Sequence, residues 1–300
     1  MRYYLRDGTL IIRGRFRAAS TGIDGGIGTV STLLNHSVPP SWDHRDPGRD
    51  LMTIIARNGL PPDFYGLMTA VEMKNLCVFQ YDFITAFITA GIRNHDEGGP
   101  GTINIIITSR EGMTDAALLG SIITATEAKV LSLEQNGYGL TGTPTDAVIV
   151  ASEGDPVHQY AGPVTAVGRR IRETVSFGVA AAMKRHEGKV VRDSPSFFIF
   201  SRYGGEHWVE WQAENCPYYP CHFAGQRCDF CYCPFYPCGD ESLGLWVESS
   251  AMNGMVWNCA SCTLLHEPEI ADYLLRNPEA SLRELKARKK RIQGQGRSSP

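Results

Sequence analysis

Two short apolar runs, residues 2–5 and 9–12, flank Asp7-Gly8 at the start of the chain. Asp-Gly between two such runs is what a two-residue hairpin turn demands, because both turn positions need positive φ. Two antiparallel strands are expected, the second continuing toward Ala19. The glycine-rich stretch 20–28 reads as a tight turn; it lacks the Gly-Lys-Ser/Thr step of a phosphate-cradling loop. Residues 41–50 hold Asp43, His44, Asp46 and Asp50 at a spacing that fits no helix face and no ligand pattern, and read as a solvated loop. Segment 65–71 is short helix or strand. A long alternating run follows, with Phe79, Tyr81, Phe83 and Phe87 on one face and Val78, Ile84, Ala86 and Ile88 on the other. It predicts one strand, or two with a bend, covered on both sides; an aromatic stripe of this kind is core before it is ligand wall.

The pattern then lengthens. Residues 94–101 read as a loop, and Ile103, Ile105 and Ile107 form a strand face with Asn104 on the side opposite. Thr114 offers an N-cap to a helix over 115–135, with Asn136-Gly137 as its stop. A buried strand over 147–151 precedes a second long helix over 164–185, where Gly168, Gly178 and Ala180 to Ala182 allow close packing. Strands first, then strand–helix–strand–helix, predict an α+β fold (a mixed α/β sandwich) rather than a doubly wound parallel sheet. Composition turns polar and glycine-rich over 187–206, and the domain boundary is placed there: 1–190, then a cysteine-rich domain over 207–275, then a basic helix and flexible tail over 276–300. No internal repeat is read.

Composition narrows the class. Three hundred residues suit two domains, and 43% hydrophobic with 20% charged is ordinary globular chemistry. A net charge of −3 carries no global nucleic-acid footprint. The first ten residues hold no secretory apolar core, and runs such as 83–92 and 177–183 are too short to span a bilayer. The expectation is a soluble, cytoplasmic protein with no membrane partner.

The nine cysteines change the picture. Cys77 stands alone; Cys216, Cys221, Cys228, Cys231, Cys233, Cys238, Cys259 and Cys262 fall together, with His222 and His266 close behind two of them. Without a secretory signal such clustering favours metal ligation over disulfides. Eight thiols suffice for two all-cysteine zinc sites, or one site and spare thiols; iron–sulfur binding uses the same ligand type. So small a core needs such a staple to fold. Aromatics interleave the cysteines, yet Arg227 is the only basic residue between Cys216 and Cys262, so packing around metal is preferred to base stacking. A protein partner for the module stays open.

Polar groups set into core-like elements mark the stretch 101–146 for chemistry. On a helix Glu127 and Lys129 point apart, so Lys129 is expected to serve substrate or another carboxylate such as Asp146. Glu127 is read as the general base, with His36 as second candidate. Asn104 and the backbone of the 101–102 or 142–143 turns are read as oxyanion donors, and Thr143, Thr124 or Ser20 as nucleophile in an alternative route.

Six ordered segments, STGIDGGI (20–27), LNH (34–36), TAV (69–71) with Asn75, GTINI (101–105), ATEAK (125–129) and GTPTD (142–146), resemble the adenosylcobinamide amidohydrolases over roughly residues 10–185. The cysteine segment resembles a cysteine-rich small domain found beside corrinoid-salvage proteins. The resemblance implies hydrolysis of the amide joining aminopropanol to adenosylcobinamide, with a corrinoid as partner. Residue chemistry, rather than the resemblance, points to substrate contacts at Ser20, Thr21, Asp24, Asn35, Glu72 and Asn75, with the turn at Asp24 and the aromatic face of 79–87 available to the corrin edge. A non-catalytic corrinoid escort and a zinc adaptor are the rival readings.

Overall fold

The computed structural model describes residues 1–39, 41–43, 45–92, 101–202, 204–212, 216, 218–248 and 254–295. The loop read over 94–101 therefore lies, apart from Gly101, outside the described residues.

Strands β1 (Arg2–Arg6) and β2 (Thr9–Ser20) form the expected hairpin, with Asp7 at φ 47° and Gly8 at φ 69°. Strand β3 (Gly26–Ser37) returns antiparallel to β2, and β4 (Phe64–Thr69) lies parallel to β3 after a crossover through helix α1 (Pro47–Arg57). That helix occupies part of the segment read as a solvated loop. Its signal is local: the Asp46 carboxylate accepts from the Arg49 amide at 3.0 Å, Pro47 sits in the first turn, and Leu51 and Ile55 share the buried face.

The alternating aromatic run is a hairpin, β5 (Cys77–Tyr81) and β6 (Ile84–Gly91), turned at Asp82 with φ 51°. The two turn residues reset the parity, so Phe87 pairs with Val78 and faces away from Phe79. Phe79, Tyr81 and Phe87 are all buried. This corrects the reading of one stripe along a corrin edge: Phe79 and Phe87 are core on opposite faces.

Strand β7 (Thr102–Ser109), short β8 (Gly112–Met113), helix α2 (Asp115–Gln135), β9 (Ala147–Ser152), short β10 (Pro156–His158) and helix α3 (Ala166–His186) complete the α+β pattern. Strands β11 (Ser196–Ser201) and β12 (His207–Trp211) extend the same sheet, whose order is β12-β11-β5-β6-β7-β9-β2-β3-β4 with β1 on β2. β11 pairs parallel to β5. The chain accordingly divides at Trp211/Gln212, beyond the 187–206 span chosen from composition.

Helices α2 and α3 cover one face, where Ile103, Ile105 and Ile107 meet Leu118, Ala125, Val175 and Val179. The other face is covered by the sheet's own curl, which brings Leu10, Leu33 and Leu67 onto Phe87 and Ile106. β4 reaches β7, and Asn104 Nδ2 donates to the Met68 carbonyl at 2.9 Å and to Asn35 Oδ1 at 3.0 Å. By length and composition α2 could cross a membrane, contrary to the expectation that every apolar run is too short; 50% of that stretch is buried in the protein, as in any core helix.

The second unit holds β13 (Leu245–Glu248) paired with β14 (Met255–Asn258), then α4 (Pro268–Arg276) and α5 (Leu282–Gln295). Its core joins Leu264, Leu265, Ile270, Leu274 and Leu285, with Phe230, Phe235 and Ile292 packed on it. The segment read as a basic helix and tail thus supplies core residues through α5.

Candidate functional site

Helix α2 organises the chemistry of the first unit. Thr114 caps it, its hydroxyl accepting from the Ala117 amide at 3.2 Å. At about 100° per residue Lys129 stands roughly 200° from Glu127. Lys129 turns inward and its Nζ lies 2.5 Å from Asp146 Oδ2, with the two side chains 9% and 11% exposed. Asp146 also accepts from the Ile103 amide at 2.8 Å, the Thr143 amide at 3.0 Å and the Thr143 hydroxyl at 2.6 Å. Beside it the hydroxyls of Thr102 and Thr145 meet at 2.8 Å. A Cβ on Gly142 would stand 2.5 Å from both Asp146 Oδ2 and Lys129 Nζ, so the turn closes only around glycine. Lys129, Thr143 and Asp146 are therefore brought together as a buried lock between α2, β7 and the 142–146 turn.

The lock fixes the rotation of α2 and sends Glu127 outward. Glu127 lines an open groove of about 460 Å³ between α2 and α3, with Thr126, Leu131, Pro163 and Arg172 among its walls. Neither the Glu127 carboxylate nor the Arg172 guanidinium has a hydrogen-bonding or ionic partner among the described residues. Exposed Leu119 and Ile123 continue the apolar surface of α2, and Tyr160 and Val164 stand exposed on the segment leading into α3. The hydroxyls of Thr124 and Thr126 are spent on the Ala161 and Ile122 carbonyls, each at 2.8 Å. The groove thus sets a carboxylate and a guanidinium among apolar walls.

The remaining expected residues do not join Glu127. Asn104 faces the inner layer of the sheet, tied to Asn35, whose Nδ2 donates to Thr89 Oγ1 at 3.0 Å. It therefore does not share a groove with Glu127, and the two do not act on one atom as the structure stands. Asn104 Oδ1 is buried without a partner among the described residues. His36, next to Asn35 on β3, points to the opposite face by the two-residue strand period and meets the Thr9 hydroxyl at 2.7 Å. Burial lowers the pKa of His36, Arg57 adds to that, and Asp50 opposes it. Ser20 Oγ accepts from the Gly22 amide at 3.0 Å, and Thr21 bonds Val148 of β9. Asp24 lies beside Gly48 at the start of α1, at φ 49°. Glu72 is exposed and paired with Lys74 at 2.6 Å, and Asn75 is half-buried in a single 3₁₀ turn. Sequence reasoning missed Arg172. It sits among several arginines near the start of α3, and only the packing of α3 on α2 singles it out.

In the second unit no cysteine forms a disulfide. As the side chains stand, no three His, Cys, Asp or Glu among the described residues are set to hold a metal ion. The donor chemistry nevertheless fits a thiophilic ion. Gln226 is 5% exposed and directs its Nε2 at Cys221 Sγ and Cys228 Sγ, 3.2 and 3.4 Å away. Amide donors aimed at sulfur suit thiolates, the form in which cysteine binds metal. His266 is nearly buried, its Nδ1 2.7 Å from the Arg227 carbonyl, and its ring lies 4.5 Å from that of His222.

Comparison with known proteins makes the chain an amidohydrolase. It belongs to the adenosylcobinamide amidohydrolase family, whose model matches residues 6–190. A second model, a cysteine-rich small domain, matches residues 207–289. An adenosylcobinamide amidohydrolase of Methanosarcina mazei is 42% identical over 196 residues, 61% of this chain and 98% of the relative. One from Halobacterium salinarum is 29% identical over 198 residues, 60% of this chain and 85% of the relative. A probable cobalt-factor III C(17)-methyltransferase of Methanothermobacter thermautotrophicus is 46% identical over 65 residues, 21% of this chain and 17% of the relative.

Proposed function

We propose that the first unit hydrolyses the amide joining the aminopropanol arm of adenosylcobinamide to its corrin side chain. The products are 1-aminopropan-2-ol and adenosylcobyric acid, and the step belongs to corrinoid salvage toward coenzyme B12. The observation that carries the reading is the match to the Methanosarcina relative over 98% of its length. In this reading the α2–α3 groove takes the amide arm, and the apolar surface around it meets the larger ring system. Glu127 accepts a proton as water oxygen bonds to the amide carbon, Arg172 stabilises the tetrahedral oxyanion, and the proton returns to the departing nitrogen as the C–N bond breaks. The second unit is read as a metal-binding module, with zinc as the ion.

One contact favours a second mechanism. Thr143 Oγ1 is 2.6 Å from Asp146 Oδ1, the spacing of a nucleophile and its base, with Lys129 behind. Purified protein incubated with adenosylcobinamide and assayed for aminopropanol decides between them. Glu127→Gln should fold normally and lose at least ~10²-fold in turnover, the low end of general-base contributions; Thr143→Ala should retain most of it. The reverse result, with a corrinoid acyl-enzyme trapped by mass spectrometry, would move the chemistry to Thr143. Tight binding with no aminopropanol released would make the chain a corrinoid escort.

A further inference from the structure

The cysteine-rich unit contains a repeat that domain-scale inspection overlooks. Cys216-Pro-Tyr-Tyr-Pro-Cys221 and Cys233-Pro-Phe-Tyr-Pro-Cys238 are the same hexapeptide but for one aromatic, and each is followed by a Cys-x2-Cys pair, Cys228/Cys231 and Cys259/Cys262. The backbone repeats as well. The Tyr219 amide donates to the Cys216 carbonyl at 3.2 Å and the Tyr236 amide to the Cys233 carbonyl at 3.1 Å. In the knuckles, the Cys231 amide donates to the Cys228 carbonyl at 3.2 Å and the Cys262 amide to the Cys259 carbonyl at 2.9 Å.

One contact says which halves belong together. Gln226 bonds Cys221 from the first hexapeptide and Cys228 from the first knuckle with one amide nitrogen, while its Oε1 accepts from the His222 and Phe223 amides at 2.8 and 3.3 Å. A buried amide fixed at its oxygen therefore holds those two sulfurs on one side of the unit.

Deepening the metal-binding reading of this unit, on which it rests, we infer that the eight cysteines form two separate four-sulfur sites for zinc-class ions, paired in chain order. One takes Cys216, Cys221, Cys228 and Cys231; the other takes Cys233, Cys238, Cys259 and Cys262. Each site closes by rotation of cysteine side chains around an ion and the loss of their thiol protons. The interleaved alternative, in which the two hexapeptides share one ion and the two knuckles the other, would need Cys221 and Cys238 as co-ligands and would separate Cys221 from Cys228 against the Gln226 bridge.

The test uses the full chain loaded with Zn²⁺ or Co²⁺, with metal counted by elemental analysis and ligation read from the sulfur-to-cobalt absorption. The intact protein should bind two ions. Cys221→Ser with Cys228→Ser should leave one, whereas Cys221→Ser with Cys238→Ser should leave none. The opposite pattern, none for the first pair and one for the second, would establish interleaved sites and overturn the partition. An intact protein that binds no stoichiometric metal would overturn the metal reading itself. Should the double variants fail to fold, Gln226→Leu keeps all eight ligands. It should weaken one of the two ions roughly 10- to 100-fold in chelator competition, the usual effect of removing a group that supports a ligand. Weakening of both ions equally, or of neither, would count against the partition.

Discussion

Replacing Asp146 by alanine should damage the first unit more than any other change in the 101–146 stretch. The carboxylate takes four donors, and the Lys129 ammonium it neutralises is 9% exposed. Removing one member of a buried pair costs about 3–5 kcal/mol, because the partner charge is left without compensation. The Ile103 and Thr143 amides lose their acceptor too, but the turn can relax toward water, so the upper end of that range is the expectation rather than a sum beyond it. For a unit of this size each kcal/mol lowers Tm by about 2–4 °C, so calorimetry on the full chain should show the first unit's transition roughly 10–20 °C lower. Lys129→Met is the discriminating control. It leaves Asp146 with three donors, and should cost only the charged hydrogen bond, about 1.5–3 kcal/mol. The double variant should then be more stable than the two losses added together. A shift below ~2 °C for Asp146→Ala, or a larger loss for Lys129→Met than for Asp146→Ala, would refute the reasoning that α2 is fixed by this lock.

Two further outcomes follow from close packing and from burial. A Cβ at Gly178 would come within 2.6 Å of Ile88 Cδ1 and 2.9 Å of Phe79 Cε2, so Gly178→Ala should push α3 off the sheet. Overpacking of about 1–3 kcal/mol outweighs the roughly 0.5–1 kcal/mol that alanine contributes to a helix, and urea unfolding should register a net loss; a gain in midpoint would contradict the packing. His36 has its pKa held below the unfolded value of 6.5 by burial. The unfolded chain therefore binds the proton first, and stability falls as pH drops below 6.5 until the folded value is passed, with no contribution at higher pH. His36→Gln should flatten the acid limb of a stability–pH curve just below the unfolded pKa, and an unchanged limb would mean that His36 is not sheltered.

What the chain discloses by itself is set by how local the determining physics is. The hairpin at Asp7-Gly8 and the ends of α2 at Thr114 and Asn136 were legible because a turn or a cap is specified within four residues. The opposite facing of Glu127 and Lys129 follows from helix geometry alone, and Lys129 meets Asp146 as that geometry allows. The aromatic run misled because periodicity continues in sequence through a turn that inverts it in space: the positive φ of Asp82 is a one-residue event with consequences for every ring beyond it. Strands β11 and β12 were lost for a different reason. Residues 197–200 are an apolar patch inside a polar, glycine-rich span, and so short a run does not name its partner; its pairing with β5 is a long-range fact.

The same distinction governs the site. The sequence marks Asn104, Glu127, Lys129, Thr143 and Asp146 within one stretch of 45 residues, with only Glu127 and Lys129 set apart by helix geometry. A sheet covered by helices on one side and by its own curl on the other cannot keep them together. Residues on β7 divide between the layers by the strand period, and those on α2 divide again between core and solvent. Asn104 therefore goes to the inner layer with Asn35, Lys129 and Asp146 close the interface between layers, and Glu127 alone reaches the outer groove. The guanidinium on that groove, Arg172, comes from α3, an element outside the dense stretch that packs beside α2. A search for functional partners of Glu127 belongs on α3 and on the loop that leads into it, not among its neighbours in the motif.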